Sequence, residues 1–336
     1  TEGLTTPGPV QLALWLRELA DEGVGAVVME ASSHALEQAR LDGVRFDVAA
    51  FTNLTQDHLD YHGDMAAYRA AKVRLVDLVA ADGTVVINAS DPAWHDLETG
   101  DRSVLRYAID APADLRATDV RLGRAGTDFT LHHAGQSWDV RTPFVGRYNV
   151  ENVLAAVAVA LAAGVDVADA VERLADAPDV PGRLQTLVTE PFSVLLDFAH
   201  TPDALTGALT ALKALTSGRL SVLFGAGGDR DPTKRRPMGE AVKAHADIIV
   251  VTSDNPRTED PEAIIDDVVE GLNGADFVRE ADRRTAIRIA LEAARPGDTV
   301  LLAGKGSEHY QVIDTEKLPF DEPGIALSTL EELGVR

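Results

Sequence analysis

The first half of the chain contains apolar runs that end in polar residues, the pattern of buried strands that deliver side chains to the carboxyl edge of a sheet. Residues 25–34 read Gly-Ala-Val-Val-Met before Glu30, and residues 46–54 are apolar up to Thr52 and Asn53. We therefore predict a strand in each stretch, with Glu30 and Asn53 at the edge of a sheet.

Apolar residues that recur every three or four positions predict helices in the same half of the chain. Residues 64–80 place apolar side chains every three or four positions, which predicts a helix with Lys72 on or beside its apolar face. Residues 146–164 predict a second, largely apolar helix with Asn149 near its start. Residues 127–143 alternate around a glycine-containing turn and predict a β-hairpin.

The second half alternates regularly between strand and helix patterns. Strands are predicted near residues 194–198, 220–224, 248–252, 277–280 and 299–303, and helices near residues 203–215, 237–246, 261–271 and 283–294. Such alternation indicates a parallel, doubly wound sheet, so the predicted fold class is α/β. Pro181 and Gly182 lie in the best candidate linker between two domains.

Polar loops follow the predicted parallel strands, at the edge where α/β proteins bind ligands. Asp254, Asn255 and Arg257 directly follow one strand, and glycine-rich loops with Arg230 and Lys305 follow two others. Such loops either bind phosphate or carboxylate groups or form tight turns, and the residues alone favour neither reading. No stretch of the sequence matches the phosphate-binding pattern G-x-x-x-x-G-K-[ST].

Composition narrows the class of partner. The 336 residues, of which 45% are apolar, suffice for two cores. A formal net charge of −23 disfavours nucleic acid as a partner, and the absence of cysteine excludes disulfides and thiolate chemistry. No apolar stretch reaches the length of a membrane span and no signal peptide opens the sequence, so we expect a cytoplasmic protein without membrane insertion.

The start of the sequence reads as a loop, and the methionines are Met29, Met65 and Met238. We therefore expect that a portion of the same protein precedes Thr1.

Glu30, His58 and Lys72 form a candidate Mg²⁺ site in the first half. Mg²⁺ keeps several waters and takes only a few protein ligands, so a small set of donors suffices. Spacing alone supports this only weakly, because His58 reads more readily as a loop histidine and Lys72 as a side chain that extends to solvent.

Taken together, motifs along the chain resemble those of the Mur ligases. In order, they are EASSH, FTNLTQDHLDYHGDMAAYRAAK, GRYNVENVLAA, PGRLQ, DFAHTPDAL, GGDRD, DNPRTEDP and GKGSEHYQ, between residues 30 and 311. The resemblance is specifically to the branch that adds the third residue to UDP-N-acetylmuramoyl-L-alanyl-D-glutamate in peptidoglycan synthesis. It covers essentially the whole chain.

The resemblance implies a plan of three domains: one for the UDP moiety, a central ATPase domain and a Rossmann-like C-terminal domain for the incoming amino acid. Residues 1–183 would be an N-terminally truncated central domain and residues 184–336 the C-terminal domain. The family's first domain and its P-loop would be missing. We therefore expect residues 1–336 alone not to hydrolyse ATP at a useful rate.

The resemblance also implies roles for individual residues. Glu30 and His58 would bind Mg²⁺, and Lys72 would be carbamylated and act with them in catalysis. The remaining implied contacts are Thr5, Thr6, Ser32, Gln38 and Arg40 for the UDP-muramoyl dipeptide, Asn149, Asn152, Arg183 and Asp197 for ATP, and Arg230, Asp254, Asn255, Arg257, Gly304 and Glu308 for the amino acid. Ser307 replaces the usual family histidine, which leaves the role of His309 open.

The implied reaction is ATP-dependent amide formation through an acyl phosphate. Within the family, arginine after Asp-Asn-Pro is associated with meso-diaminopimelate, so the resemblance implies this amino acid as the one added. The physical reason is that a guanidinium can bind its extra carboxylate with two parallel hydrogen bonds. Without the family, Arg257 reads equally as a partner of Glu259 or Asp260. An L-lysine-adding ligase, a folylpolyglutamate synthase-like enzyme and a non-catalytic ligand-binding remnant are the alternatives.

Overall fold

Two six-stranded sheets organise the computed structural model, which describes residues 4–123 and 125–335. The first sheet has the strand order β1-β2-β3-β4-β5-β6, in which β1 to β4 are parallel and β4 to β6 antiparallel. Its strands are β1 Phe46–Phe51, β2 Val79–Asn88, β3 Ser103–Ile109, β4 Leu115–Gly123, β5 Gly126–His133 and β6 Gln136–Thr142. The predicted hairpin at residues 127–143 is confirmed as β5 and β6.

Six helices accompany the first sheet among the described residues. They are α1 Pro9–Asp21, α2 Ser33–Glu37, α3 Leu59–His62, α4 Met65–Val73, α5 Arg147–Ala162 and α6 Val167–Leu174. The predicted apolar helix is confirmed as α5, which packs its buried valines and leucines against β2, β3 and β4. Its first turn therefore reaches the edge of the first sheet, with Asn149 buried.

The strand predicted in residues 25–34 is wrong. Residues 24–32 form no helix or strand, and the side chains of Val27 and Val28 are 47% and 88% exposed. A strand needs a neighbour for its backbone groups, and in the described part of the chain the first sheet ends at β1. Glu30 consequently lies on an extended segment rather than at a strand's end.

The helix predicted over residues 64–80 is too long. The α-helix ends at Val73, a 3-10 helix spans Arg74–Leu78, and β2 begins at Val79. Val79 pairs with Phe46 of β1, so pairing in the sheet overrides the helical spacing of the apolar residues.

The second sheet has the order β11-β10-β9-β12-β8-β7 and is parallel except for β7 at its edge. Its strands are β7 Gln185–Val188, β8 Ser193–Asp197, β9 Leu220–Phe224, β10 Ile248–Val251, β11 Val278–Arg279 and β12 Thr299–Ala303. Helices α7 Pro202–Leu215, α8 Arg235–His245, α9 Pro261–Val269, α10 Arg283–Glu292 and α11 Glu322–Glu332 accompany it, with a hairpin of β13 Tyr310–Ile313 and β14 Glu316–Pro319.

The prediction of a parallel, doubly wound α/β sheet in this half is confirmed. Separate apolar clusters lie on the two faces of the sheet, as expected when helices cover both faces. Every predicted strand and helix is present within about two residues of its predicted bounds. The division of the chain at residues 183 and 184 stays a prediction.

The carboxyl edge of the second sheet faces the loop that follows β1. Gln56 donates from Nε2 to Asp231 Oδ2 at 3.1 Å and to Thr233 Oγ1 at 2.8 Å, which joins the two halves of the chain. None of the helices in the described ranges is long and apolar enough to cross a membrane.

Candidate functional site

A cleft lies between the two sheets and contains two adjoining cavities. The larger has a volume of about 1080 Å³ and the smaller about 160 Å³. Asp57, Phe198 and His200 line both cavities, so the two spaces share a wall. The predicted ATP and amino-acid contacts line these cavities, together with Glu30 and His58.

The predicted ATP contacts all line the larger cavity. Asn149 donates from Nδ2 to the carbonyl of Val145 at 2.8 Å, and its Oδ1 accepts from Nδ2 of Asn152 at 3.0 Å. These two amides lie on the first turns of α5, after Gly146, whose φ of 105° suits glycine. The start of α5 thus presents two mutually oriented amides to the cleft.

Arg183 and Asp197 form the opposite wall of the larger cavity. The Arg183 guanidinium lies 4.8 Å from the ring centroid of Phe198. Asp197 ends β8 and accepts backbone hydrogen bonds from Leu184 at 2.7 Å and Ala199 at 2.8 Å. Burial nevertheless raises the pKa of Asp197 above its ordinary value.

Glu30 and Lys72, two members of the predicted metal group, lie close enough to interact electrostatically. Burial lowers the pKa of Lys72, while the charges of Glu30 and Asp57 act in the opposite direction. The Lys72 ammonium lies 5.0 Å from the ring centroid of Tyr68, whose pKa burial and the same two carboxylates raise to about 12. Glu30, Asp57 and Tyr68 line the larger cavity.

His58, the third member, caps α3 in a left-handed conformation with φ 57°. Burial lowers its pKa, and its Nε2 lies 3.6 Å from Oδ2 of Asp57. Within residues 4–123 and 125–335, no group of three or more His, Asp or Glu side chains is arranged to hold a metal ion. A Mg²⁺ site at these residues stays a prediction.

Asp57 was not predicted from the sequence, although it occupies the shared wall. Its carboxylate lies 3.2 Å from Lys234 Nζ and 3.5 Å from His200 Nε2. Burial works to raise the pKa of Asp57, but the hydrogen bond from His200 and the charge of Lys234 outweigh it and lower the pKa strongly. The available signals were that Asp57 adjoins His58 and that His200 closely follows β8.

Glu151 is a second cavity residue that sequence reasoning missed. It lies on the first turns of α5 near Asn149, contacts Asn88 and Asn53, and has its pKa raised by burial. Its position one helical turn after Arg147, at the exposed end of an otherwise apolar helix, was the available signal.

The residues predicted for the UDP-muramoyl dipeptide divide into groups. Thr6 is buried, donates from Oγ1 to the Glu30 carbonyl at 2.8 Å, and accepts from the Ser32 backbone N–H at 3.0 Å. Arg40 donates from Nη1 to the Thr6 carbonyl at 2.5 Å. The structure thus brings Thr6, Ser32 and Arg40 together beside Glu30.

Two members of the predicted dipeptide set lie outside that group. Gln38 donates from Nε2 to the Tyr61 hydroxyl at 3.0 Å. Thr5 is exposed.

The smaller cavity collects the residues predicted for the amino acid. A fully buried Lys305 donates from Nζ to Asp254 Oδ1 and to Asn255 Oδ1, each at 3.0 Å. Gly304 has φ 114°, which lets the chain turn after β12 and bring Lys305 against the loop that follows β10. Asn255 in turn donates from Nδ2 to Glu308 Oε2 at 3.0 Å.

Arg257 and Arg230 also line the smaller cavity. Arg257 donates from Nη1 to the Gly228 carbonyl at 2.6 Å, and burial together with the nearby charge of Arg230 lowers its pKa. Glu259 accepts from Arg235 at 2.7 Å. The reading of Arg257 as a partner of Glu259 is therefore not what the structure shows.

Comparison of the sequence with known protein families identifies the family of this chain. Residues 1–160 match the Mur ligase middle domain, and residues 182–306 match the Mur ligase glutamate ligase domain. The UDP-N-acetylmuramoyl-L-alanyl-D-glutamate--2,6-diaminopimelate ligase of Synechococcus elongatus is 45% identical over 334 residues, which cover 98% of this chain and 67% of that protein. The chain belongs to the Mur ligase family.

Other relatives carry the same name. The ligase of Chlamydia pneumoniae is 42% identical, with 96% of this chain and 67% of that protein covered, and the ligase of Bacillus licheniformis is 41% identical, with 98% and 69% covered. Mur ligases are ATP-dependent ligases, so the predicted enzyme class is confirmed.

Solved structures agree in fold. A structure of a ligase with that name superposes with a TM-score of 0.63 at 37% identity, covering 98% of this chain and 69% of the other. Folylpolyglutamate synthase of Mycobacterium tuberculosis superposes with a TM-score of 0.64 at 20% identity, covering 86% and 64%. At that identity the second likeness shows the fold alone.

Proposed function

We propose that this Mur ligase adds meso-diaminopimelate to UDP-N-acetylmuramoyl-L-alanyl-D-glutamate in peptidoglycan synthesis. The observation that carries the proposal is Arg257, whose guanidinium lines the smaller cavity with backbone carbonyls as its hydrogen-bond acceptors. A second guanidinium, that of Arg230, lines the same cavity. The similarity to ligases named for 2,6-diaminopimelate supports the assignment.

The charges of the cavity complement this amino acid. The ligand carries two carboxylates and two ammonium groups, and the cavity offers Arg257 and Arg230 to the former and Asp254 and Glu308 to the latter. A planar guanidinium can bind a carboxylate with two parallel hydrogen bonds. L-lysine lacks the second carboxylate and would leave one guanidinium of the cavity without a charged partner, which disfavours it.

In the proposed reaction, ATP phosphorylates the D-glutamyl carboxylate, and an uncharged amine of the amino acid attacks the acyl phosphate to form the amide. Phosphate leaves, and no covalent link to the protein is needed. The protein's task is to hold the reacting groups in line, which is worth several kcal/mol of the barrier. The two adjoining cavities, with Asp57 and His200 in their shared wall, suit a nucleotide on one side and an amino acid on the other.

We assign the larger cavity to ATP, with Asn149, Asn152, Arg183 and Asp197 as its contacts. A stacked guanidinium and aromatic ring, Arg183 on Phe198, offers a flat surface beside the buried carboxylate of Asp197. We assign the group Thr6, Ser32 and Arg40 to the dipeptide substrate, with Thr5 and Gln38 as further candidates. Arg40 supplies the positive charge that an anionic substrate requires.

The donors around Lys72 fit Mg²⁺ if the lysine is carbamylated. Burial lowers the pKa of Lys72, so more of its amine is neutral and able to capture CO₂, which converts a cation into an anionic oxygen ligand. Glu30 and His58 would complete the set. When bound, Mg²⁺ would offset the negative charge of the triphosphate and of the developing acyl phosphate.

Three other functions compete with this proposal. A lysine-adding ligase would use the same fold, and folylpolyglutamate synthase shares it at 20% identity. A non-catalytic ligand-binding remnant fits the sequence's lack of a G-x-x-x-x-G-K-[ST] match. The first two differ from the proposal in the ligand of the smaller cavity.

Calorimetric titration of residues 1–336 with meso-diaminopimelate, L-lysine and L-glutamate separates these ligands without requiring ATP turnover. We expect meso-diaminopimelate to bind at least about 10-fold more tightly than the other two. Equal or tighter binding of L-lysine would favour the lysine-adding ligase, and preference for L-glutamate would favour the synthase. Ligation of meso-diaminopimelate in the presence of the UDP-linked dipeptide, ATP and Mg²⁺ would exclude the remnant.

A further inference from the structure

Strand β13 lies beside the smaller cavity and contacts the residues assigned to the amino acid. Gln311 donates from Nε2 to the Asp254 carbonyl at 2.7 Å, and the Val312 backbone N–H donates to Asn255 Oδ1 at 2.9 Å. Both contacts reach the loop that follows β10. The hairpin is therefore tied to this loop through a side chain and through its backbone.

The same strand and Asp314, which follows it, hold the backbone of Arg257. The Arg257 N–H donates to the Val312 carbonyl at 3.1 Å, and the Asp314 N–H donates to the Arg257 carbonyl at 2.7 Å. Arg257 has φ 52°, a left-handed conformation that costs about 1–2 kcal/mol in a non-glycine residue. These two hydrogen bonds help to maintain it.

Tyr310, the first residue of β13, contacts the carboxylate of Glu308. Its hydroxyl donates to Oε1 at 3.2 Å, while Asn255 Nδ2 donates to Oε2 at 3.0 Å. Each carboxylate oxygen thus has one neutral donor, and Lys305 Nζ lies 4.0 Å from Oε2. These contacts fix the direction of the carboxylate and leave lone pairs free to accept from a ligand. Lys317 lies 4.3 Å from the Tyr310 ring centroid and limits movement of the ring.

The protonation of Tyr310 suits a hydrogen-bond donor. Burial and the adjacent charge of Glu308 both raise its pKa, so the phenol keeps its proton across the neutral range. Replacing it with phenylalanine would remove the donor and retain the ring.

We propose that Tyr310 is a positioning residue that orients Glu308 and thereby sets a preference for amino acids carrying a second ammonium group. The inference rests on the proposed function, because it assumes that the ligand's far ammonium binds at Glu308. Tyr310 itself does not line the cavity; it acts from behind the carboxylate.

A matched pair of ligands tests the inference. meso-Diaminopimelate and 2-aminopimelate share both carboxylates and the carbon chain, but only the former has the second amino group. In calorimetric titrations we expect Tyr310→Phe to weaken meso-diaminopimelate about 10-fold and 2-aminopimelate less than about 2-fold, because the lost hydrogen bond acts on a charged group. Glu316→Gln, on exposed β14 of the same hairpin, is the control and should change neither affinity.

Other results of these titrations would contradict either the role of Tyr310 or the proposed function. Equal weakening of both ligands, or of neither, overturns the role of Tyr310. A wild type that binds the two ligands equally also overturns it, yet leaves the recognition of two carboxylates, and so the proposed function, intact. If neither ligand binds the wild type, the proposed function fails and the inference fails with it.

A ligand-free crystal structure of Tyr310→Phe gives a readout that does not depend on binding. We expect the Glu308 carboxylate to leave the position in which Asn255 Nδ2 donates to it, or to occupy more than one rotamer. A single rotamer that retains the wild-type contact with Asn255 would overturn the inference.

Discussion

At the scale of single residues, Lys72 shows how burial can prepare a lysine for chemistry. Removal from water disfavours its ammonium form, and the nearby carboxylates of Glu30 and Asp57 only partly offset this. The net lowering of the pKa increases the neutral fraction at a given pH. Carbamate formation requires that neutral amine.

We therefore predict a carbamate on Lys72. Carbon-13 NMR of the protein in labelled bicarbonate should show a carbamate signal that Lys72→Ala removes and Lys213→Ala, at an exposed ion pair, retains. Because the pKa of Lys72 is lowered, this signal should persist to lower pH than carbamates on exposed lysines and disappear as the pH falls through the lowered pKa. An unchanged spectrum in Lys72→Ala would contradict the assignment.

The sequence located Arg257 but not its conformation. Its place after a buried strand followed from the apolar run at residues 248–251, whereas its positive φ depends on hydrogen bonds to β13, more than fifty positions away. Asp57 was missed for the same reason. Its partners Lys234 and His200 lie in the other half of the chain, and no local pattern reports such pairing.

At the scale of elements, parallel strands made the site predictable. Strands of one direction deliver their following loops to one edge, so the sequence pattern alone groups the loops after β8, β9, β10 and β12. The antiparallel edge strand β7 and the hairpin of β13 and β14 were not predicted. Both elements are short. Strand β7 pairs with β8, and the hairpin forms a bridge to Arg257 through Ile313.

The opposite edge of the second sheet contains a buried carboxylate that joins two parallel strands. Asp298, just before β12, accepts from the backbone N–H of Arg219 at 2.8 Å and from its guanidinium. Burial works to raise the pKa of Asp298, but these hydrogen bonds outweigh it and lower the pKa. The ionised form therefore stabilises the folded chain.

We predict that Asp298→Asn lowers the free energy of unfolding by about 2–3 kcal/mol at pH 7. A lowered folded pKa means that this contribution is present above the unfolded pKa of about 3.9 and is lost as the pH falls through the folded value. Urea unfolding of both proteins should therefore show a difference that shrinks below about pH 4. A difference independent of pH would contradict the role given to the ionised carboxylate.

At the scale of the whole molecule, the cleft depends on contacts between its two walls. Gln56 bonds to Asp231 and Thr233, and Asp57 lies beside Lys234, so the loop after β1 meets the start of α8. These contacts lie where the larger and smaller cavities adjoin. Because these contacts are few and polar, we expect the closure of the cleft to be reversible.

We predict that Gln56→Ala increases the open population by about 2- to 5-fold, the effect of losing roughly one net hydrogen bond. The sequence has no cysteine, so dyes placed at Gln136→Cys and Asp276→Cys report the distance between the two halves by single-molecule energy transfer. Glu18→Ala, on exposed α1, is the control. An unchanged distance distribution in Gln56→Ala would show that these contacts do not hold the cleft closed.

In the proposed function, Arg257 binds the far carboxylate of meso-diaminopimelate. A thermodynamic cycle measured by calorimetry tests this contact. Wild type and Arg257→Ala are each titrated with meso-diaminopimelate, which carries the far carboxylate, and with L-lysine, which lacks it. We expect a coupling free energy of about 2–4 kcal/mol, with lysine binding nearly unaffected by the substitution. A coupling near zero, or equal losses for both ligands, would contradict the claim.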